Sequence, residues 1–300
     1  MLISNAFNTC DRALLLQKLY NTPELRKIFP IVNFAYSSPS KLLLHANAGS
    51  ILSSNGVRQG DPLSSLLFCL YMKDIYNTLA STSSVTLYSY IDNLYIVGSP
   101  QEVIKSFEKL KQELHTANLE CNHSKSSFIY FHAVSHPLSA TIIDSLQNDH
   151  IEIKNRHAEI LGAPIGATEQ DIIDGLRQLS YRNNLHHFFK RLINPHLSVQ
   201  AAMLLLIKCG VPKLSYLLRC VPPTCISAYA AEMDGQVLNC ASKLLKLSDT
   251  DMKKSKIIQQ LQSPISYGFG LISAVESSHV AYLSSVVSCL SMKTLKQYLP

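Results

Sequence analysis

One stretch of the sequence constrains the fold more than any other. It is Asn55-Gly-Val-Arg-Gln-Gly-Asp-Pro-Leu-Ser-Ser65, which runs directly into an apolar segment ending at Met72. Asp61 is a favourable N-cap, and Pro62 suits the first helical position because the missing N–H is not needed there. Apolar residues then recur at helical spacing as far as Leu79, at positions 63, 66, 67, 70, 71, 75 and 79. The stretch predicts a tight turn followed by a helix with a broad buried face.

A second signal lies between Val85 and Val97, where apolar and polar residues alternate on both sides of Ile91-Asp-Asn93. The alternation predicts two strands joined by a tight turn. Asp and Asn are common at hairpin tips because they tolerate positive φ. Asp92 and Asn93 therefore have two interpretations, an ordinary turn or a carboxylate displayed for chemistry.

The remaining elements have simpler patterns. At the N-terminus a short strand precedes a helix that Asp11 can cap. Residues 101–117 predict an amphipathic helix, and residues 119–130 predict a loop followed by a strand. Residues 159–166 predict a hairpin, because glycine and proline cluster there. From Ala167 onward the pattern is helical and is interrupted by prolines.

In this order, the motifs resemble the reverse transcriptase domain of non-LTR (LINE-type) retrotransposons. The resemblance implies an α+β fold. Residues 1–166 would form a polymerase palm, an antiparallel sheet with packed helices, and residues 167–300 a mostly helical, thumb-like region with its C-terminal extension. The family's fingers would precede Met1, so we expect them to be absent and the domain to be truncated at its N-terminus.

The resemblance assigns roles to four residues of the N-terminal part. Phe7 falls at the aromatic position that screens out ribonucleotides in the family, and its other interpretation is a core aromatic. Arg58, Gln59 and Gly60 fall at the turn that contacts the nucleotide and the template. Glycine at position 60 permits close approach of the backbone to a ligand, and the helix N-terminus that follows favours anions.

Three further residues match motifs later in the chain. Lys125 falls where a Lys or His in the family can protonate the pyrophosphate leaving group, and its other interpretation is a solvated loop lysine. Leu161 and Gly162 fall in the hairpin that grips the primer end.

The family's chemistry uses two Mg²⁺ (or Mn²⁺) ions held by three Asp residues. In this chain Asp92 matches one of them, Asn93 replaces the last, and Leu2 stands where the first is expected. Asn93 still offers a carbonyl oxygen, whereas Leu2 offers no ligand. We therefore expect metal binding to be weak and polymerase activity to be absent or very low.

Three hypotheses follow for the function. The chain is a working reverse transcriptase with unusual ligands, a decayed copy without a selected function, or a non-catalytic nucleic-acid-binding protein. The net charge of +6 lies entirely in the second half, because residues 1–150 hold 11 Lys or Arg and 11 Asp or Glu, whereas residues 151–300 hold 16 and 10. This excess suits an RNA template or a primer–template duplex, although many proteins without such partners have a similar charge.

Cellular location is constrained only by what the sequence lacks. None of the eight cysteines forms a Cys-x-x-Cys pair, which favours buried reduced thiols. The sequence has no export signal and no uncharged apolar window of about 18 residues. We therefore expect an intracellular protein, cytoplasmic or nuclear, without a membrane partner.

Overall fold

The computed structural model describes residues 3–43, 49–82, 84–131, 136–183 and 185–291, with the side chains of residues 180–183 left out. The chain divides into two compact units, Met1–Lys154 and Asn155–Pro300. This division places the whole 157–166 hairpin in the C-terminal unit, whereas the predicted boundary at residue 166 keeps it with the palm. The assignment of the two regions to a palm and a thumb stays a prediction.

The N-terminal unit contains six α-helices within its described residues. They are α1 (Ala6–Thr9), α2 (Arg12–Asn21), α3 (Phe29–Tyr36), α4 (Ser64–Thr82), α5 (Pro100–Thr116) and α6 (Ala140–Asn148). The side chain of Asp11 accepts a hydrogen bond from the N–H of Leu14 at 2.8 Å, as the capping prediction requires. The 3₁₀ turns Arg26–Ile28 and His123–Lys125 complete the helical part.

The described strands of this unit form three separate two-stranded sheets. Antiparallel pairs join β1 (Ser40–Leu43) to β2 (Ser50–Ser53) and β3 (Thr86–Tyr90) to β4 (Asn93–Val97). A parallel pair joins β5 (Ser127–Ile129) to β6 (Glu152–Lys154). The mixture of helices and small sheets is compatible with the predicted α+β class, but the described strands do not merge into one larger palm sheet.

The core of this unit surrounds α4, which differs in two ways from the predicted helix. Its first residue is Ser64, because the Asp61 side chain accepts the Leu63 N–H in a turn before the helix. Its buried face is also shifted, since Phe68 and Met72 are fully buried whereas Leu66 is 40% exposed. A smaller apolar cluster lies under α5 and α6 and includes Phe107, Phe128, Ile142, Leu146 and Ile151.

The C-terminal unit begins with an antiparallel hairpin and continues as helices. The hairpin pairs β7 (His157–Ile160) with β8 (Ala163–Gly166). The helices are α7 (Glu169–Asn183), α8 (Leu185–Leu192), α9 (Val199–Leu205), α10 (Ser215–Cys220), α11 (Pro223–Leu245), α12 (Asp249–Met252), α13 (Ser255–Gln262) and α14 (Ala274–Ser291). Between α9 and α10 the chain forms a π-helical turn, Leu206–Gly210, and a 3₁₀ turn, Val211–Leu214.

One helical segment of this unit, Val199–Cys220, is long and apolar enough to cross a membrane by length and composition. It carries Lys208, Lys213 and Arg219, and 39% of its most apolar window is buried inside the protein. Leu206 and Leu214 belong to the apolar core of the unit. A partly buried helix of a folded unit passes the same test, so these features alone are weak evidence for a membrane span.

Candidate functional site

Asp92 lies at the tip of the β3–β4 hairpin, as predicted. Tyr90 pairs with Asn93, so Ile91 and Asp92 form a two-residue turn. Ile91 takes the positive φ in this turn, at +56°, and neither Asp92 nor Asn93 is left-handed. The pairing register decides this by placing Ile91 at the first turn position. A β-branched residue is strained there by about 1–3 kcal/mol, and such strain is concentrated at functional sites.

The N-terminal segment lies against this turn. The N–H of Ile3 is 3.4 Å from the carbonyl oxygen of Asp92, and Ile3 forms an antiparallel bridge with Cys121. The neighbouring Leu2, which stands at the expected position of a metal-binding Asp, lies outside the described residues. The contact therefore places Ile3, the first described residue, beside the Asp92 turn.

Phe7 packs on the helix that follows the Gln59-Gly60 turn. Its ring stacks on Phe68 of α4 with centroids 5.0 Å apart and an interplanar angle of 17°. The ring is half-buried, and the Phe7 carbonyl accepts the N–H of Val57. The described contacts of Phe7 are thus those of the packing interpretation, and its role toward a nucleotide stays a prediction.

Gln59 and Gly60 are exposed, whereas Gly56, earlier in the same loop, is buried. The N–H of Gly56 donates to the carbonyl of Cys10 at 2.9 Å. Gly56 has φ +72°, and a Cβ there would lie 2.4 Å from the Phe7 carbonyl oxygen, so only glycine fits. At Gly60 a Cβ would meet open space, which leaves room for a ligand to approach the backbone.

A network of one tyrosine and two arginines holds this loop, and sequence reasoning missed most of it. Arg12 is 6% exposed and donates from Nε to the Gly56 carbonyl at 2.8 Å and from Nη1 to the Ser53 carbonyl at 2.8 Å. Its guanidinium carbon lies 5.4 Å from the centroid of the Tyr36 ring. Burial lowers the pKa of Arg12, and repulsion from Arg58 lowers it further.

Arg58 approaches the same tyrosine, with its guanidinium carbon 5.0 Å from the Tyr36 centroid. Its Nη2 donates to the Ala35 carbonyl at 2.5 Å and to Ser40 Oγ at 2.6 Å, so the side chain is directed into the unit. Its Nε is buried, and the described residues provide no hydrogen-bond partner for it. A nucleotide or template at the predicted position would therefore meet a guanidinium that already donates hydrogen bonds within the unit.

Tyr36 connects the two arginines to the start of α4. Its hydroxyl donates to Asp61 Oδ2 at 2.5 Å and accepts the N–H of Arg58 at 3.2 Å. Burial raises the pKa of Tyr36, and the hydrogen bond to Asp61 raises it further. The sequence contains one signal for this network: Arg12, Leu15 and Leu19 share one helical face, so an arginine occupies an apolar position of α2.

Tyr76 of α4 is electrostatically coupled to the hairpin tip. Its hydroxyl is buried, and no hydrogen-bond partner for it is present in the described part of the chain. Burial raises the pKa of Tyr76 strongly, and the nearby charges of Cys69 and Asp92 raise it further. Tyr76 and Ile91 both pack against the apolar core of this unit.

Lys125 is exposed at the end of the 3₁₀ turn His123–Lys125. The turn is capped by Asn122, whose side chain accepts the Lys125 N–H at 3.1 Å. Within the described ranges no ion pair of the Lys125 ammonium group is present, and both interpretations of Lys125 stay predictions.

Leu161 and Gly162 form the two-residue tip of the β7–β8 hairpin, with φ +49° and +85°. Leu161 is 43% exposed. Positive φ at both positions is the pattern of a type I′ turn. The hairpin predicted from the glycine and proline cluster is thus present, with its tip exposed.

A profile of the family described as "Reverse transcriptase (RNA-dependent DNA polymerase)" matches residues 3–165, more than half of the chain. The chain belongs to the reverse transcriptase family. No curated protein matches it closely enough to count as a relative. The matched region includes the Gln59-Gly60 turn, the Asp92 hairpin and the tip of the β7–β8 hairpin.

Reverse transcriptases as a family use divalent metals, so the donor groups around Asp92 can be tested against that requirement. Asn93 Nδ2 lies 3.4 Å from Asp92 Oδ1, which places an amide beside the carboxylate. Within the described ranges, no group of three or more His, Cys, Asp or Glu side chains is arranged to hold a metal ion. One carboxylate and one amide do not fit a site for two divalent ions, which needs several anionic oxygens.

Proposed function

We propose that this reverse transcriptase family member is a nucleic-acid-binding module of a retroelement whose nucleotidyl-transfer chemistry is impaired. The observation that carries the proposal is the donor set at the hairpin tip, where Asp92 is followed by Asn93 and preceded by a strained Ile91. Asp92 lies at the tip of a two-residue turn, a position that can present its carboxylate to a ligand. The donors themselves provide too little negative charge for two dications and a triphosphate.

The branch of the family is also part of the proposal. The run from Gly56 to Leu63 and the Leu161-Gly-Ala-Pro-Ile-Gly166 hairpin support a non-LTR, LINE-type origin. Nucleic acid, in the form of an RNA template or a primer–template duplex, is the partner that this origin implies. The excess of 16 basic over 10 acidic residues in positions 151–300 supports the same partner.

Primer extension on an RNA template, with Mg²⁺ and then with Mn²⁺, tests the chemistry. We compare the unaltered chain with Asp92→Ala and with Asp144→Asn, which removes an exposed carboxylate elsewhere in the same unit. The expected result is extension at background level by all three proteins. Extension that Asp92→Ala abolishes and Asp144→Asn retains would show that substitute ligands hold the metals, and the impairment would be refuted.

Equilibrium binding tests the other half of the proposal. A fluorescent primer–template duplex is titrated with the full chain at a series of salt concentrations, beginning near 50 mM. Binding through phosphates releases counterions, so the logarithm of the association constant should fall linearly with the logarithm of salt. Absence of binding at about 50 mM salt would leave a decayed copy as the remaining hypothesis.

A further inference from the structure

Helix α14 (Ala274–Ser291) turns large apolar side chains toward solvent. Four of them are between 40% and 68% exposed: Val280, Leu283, Val287 and Leu290. They follow one another at intervals of three, four and three residues, so they form one line along the helix, which we call the α14 stripe. A surface helix of a folded unit ordinarily turns its large apolar residues toward the core. The α14 stripe therefore has the wrong orientation for a helix that only completes its own unit.

The opposite side of α14 packs on its own unit through small residues. Ala274 and Ser278 are buried, and Ala281 and Ser285 are half-buried. Helical geometry places these four residues about 180° around the helix axis from the α14 stripe. On this side α14 lies against α10 and α11, and small side chains allow a close approach of the helices. The helix is thus docked through its small residues, and its large apolar residues remain outside.

A carboxylate of α11 fixes the start of α14. Asp234 Oδ1 accepts the N–H of Ala274 at 2.7 Å, and Asp234 Oδ2 accepts the N–H of Val275 at 3.2 Å. The hydroxyl of Ser273 also donates to Asp234 Oδ2, at 2.5 Å. These bonds satisfy N–H groups that a helix leaves unpaired at its start. Because the helix is already formed and anchored, a partner that binds the α14 stripe has little backbone to order.

We propose that the α14 stripe is the contact surface between two copies of this chain. Valine and leucine alternate along it as the a and d residues of a heptad, and a β-branched residue at a with leucine at d favours two strands in parallel coiled coils. A two-fold axis would bring the same patch of both copies together, so one stripe packs into the other. This assembly does not depend on the proposed binding of nucleic acid.

Charge does not oppose the contact between two copies. Glu276 is the one Asp, Glu, Lys or Arg residue from position 274 to position 291. It lies one turn before Val280, near the helix N-terminus, where the helix dipole favours an acidic side chain. Ser284, next to the α14 stripe, is exposed and uncharged. Two such surfaces can therefore meet without bringing rows of like charges together.

The exposed area agrees with a weak dimer. The exposed fractions of the four side chains correspond to about 400 Å² of apolar surface per copy, as much as the largest patch on a typical monomer. Ile272 and Val275, near the start of the helix, are also exposed. Two α14 stripes with the residues beside them would bury about 1,200 Å² in total, which is the lower end for specific interfaces. We therefore expect a dissociation constant in the micromolar range.

A lipid surface fits this helix less well than a second copy does. Helices that lie in a membrane interface carry Lys and Arg beside their apolar face, and positions 274–291 contain neither. The inner side of α14 is also occupied by α10 and α11. A second α14 stripe covers the apolar residues without requiring cations at their edge.

Sedimentation velocity of the full chain measures the association, from about 1 to 100 μM protein. The runs are made in about 0.5 M NaCl, because salt at that concentration weakens phosphate contacts and ion pairs but not apolar contacts. A pair bridged by contaminating nucleic acid is thereby suppressed. The expected result is a weight-average mass that rises with concentration from 33.4 kDa toward twice that value.

The decisive variant is Leu283→Gln/Val287→Gln, which removes the centre of the α14 stripe. Both positions are exposed and glutamine is a good helix former, so the circular dichroism spectrum should not change. Association should weaken by about 100-fold or more, since a central apolar anchor contributes about tenfold or more. The matched control is Leu204→Gln/Leu205→Gln, which removes two exposed leucines of α9 in the same unit and should associate like the unaltered chain.

Four results would overturn the inference. The unaltered chain could remain monomeric up to about 100 μM, or Leu283→Gln/Val287→Gln could associate as tightly as the unaltered chain. The control could weaken association as much as that variant does. Finally, flotation with phosphatidylcholine vesicles that the variant abolishes would assign the α14 stripe to lipid. If Leu283→Gln/Val287→Gln loses its native spectrum, the milder Leu283→Ala takes its place, and it should still weaken association by about tenfold.

Discussion

Arg12→Met is the most informative perturbation of the N-terminal unit, because Arg12 is a buried cation whose described acceptors are neutral groups. It donates to the carbonyls of Gly56 and Ser53 and, from Nη2, to Ser53 Oγ at 2.9 Å. Methionine has a similar length and fills much of the same space, but it provides no donor. The buried Gly56 carbonyl and the partly buried Ser53 carbonyl therefore lose the donors that the structure describes for them.

The magnitude follows from what remains after the substitution. Each buried carbonyl without a donor costs about 1–3 kcal/mol, whereas removing the guanidinium recovers part of its own desolvation penalty. The recovered desolvation penalty offsets only part of the cost of the unpaired carbonyls. The carbonyls belong to the backbone, so they remain after the cation is removed. We expect a net loss of about 2–4 kcal/mol in the free energy of unfolding, which shifts a urea midpoint by about 1–2 M.

The assay is urea unfolding followed by far-ultraviolet circular dichroism, since the chain has no tryptophan. Limited proteolysis along the urea series assigns the shifted transition to the N-terminal unit. Arg26→Met is the matched control: Arg26 is exposed and donates to the Tyr20 carbonyl at 2.7 Å, so its loss should cost less than about 1 kcal/mol. A midpoint for Arg12→Met equal to that of the control would refute the argument that Arg12 holds the loop.

Three further predictions concern stability. Gly56→Ala should lower the unfolding free energy by about 3 kcal/mol or more, because the new Cβ overlaps the Phe7 carbonyl. Gly60→Ala should lower it only by the penalty for a left-handed φ, about 1–2 kcal/mol. Equal losses would contradict the close approach of Gly56 to the Phe7 backbone. Gly235→Ala, in the interior of α11 with open space at its Cβ, should raise the unfolding free energy by about 0.5–1 kcal/mol, and a lower thermal midpoint would argue against that helix. The raised pKa of Tyr36 means that the folded state holds this proton more tightly than the unfolded state does. The stability that this proton contributes is therefore complete below pH 10.0 and is lost as the pH rises beyond that value. Tyr36→Phe should therefore reduce the loss of stability at alkaline pH, as followed by circular dichroism. An unchanged pH profile would exclude Tyr36 as the source of that loss.

Sequence patterns correctly predicted helices and hairpins that form through contacts between residues close together in the chain. The amphipathic stripe of residues 101–117 corresponds to α5 (Pro100–Thr116), and the buried positions Phe107, Leu110 and Leu114 were among those expected. The Asp92 hairpin was found from alternation, because strand pairing with a two-residue turn is a short-range pattern.

Longer-range contacts changed several of those predictions. Helix α4 starts at Ser64, because the Asp61 side chain accepts the Leu63 N–H in the preceding turn and also accepts the hydroxyl of Tyr36, a residue of another helix. The positive φ of the hairpin turn fell on Ile91 because strand register, rather than residue preference, decides which turn position each residue takes.

The sequence by itself determined the family of this protein and the presence of Asn93 after Asp92, because motif order and residue identity are properties of the linear chain. Whether Asp92 is followed by Asn93 needs no structure. Only the tertiary structure decided that Arg12 supports the Gln59 loop and that Tyr216 holds the Leu161 carbonyl. Those contacts join residues 44 and 55 positions apart. They are favoured because a carbonyl that loses its water when the chain packs needs a new donor, and packing alone decides which carbonyls lose their water.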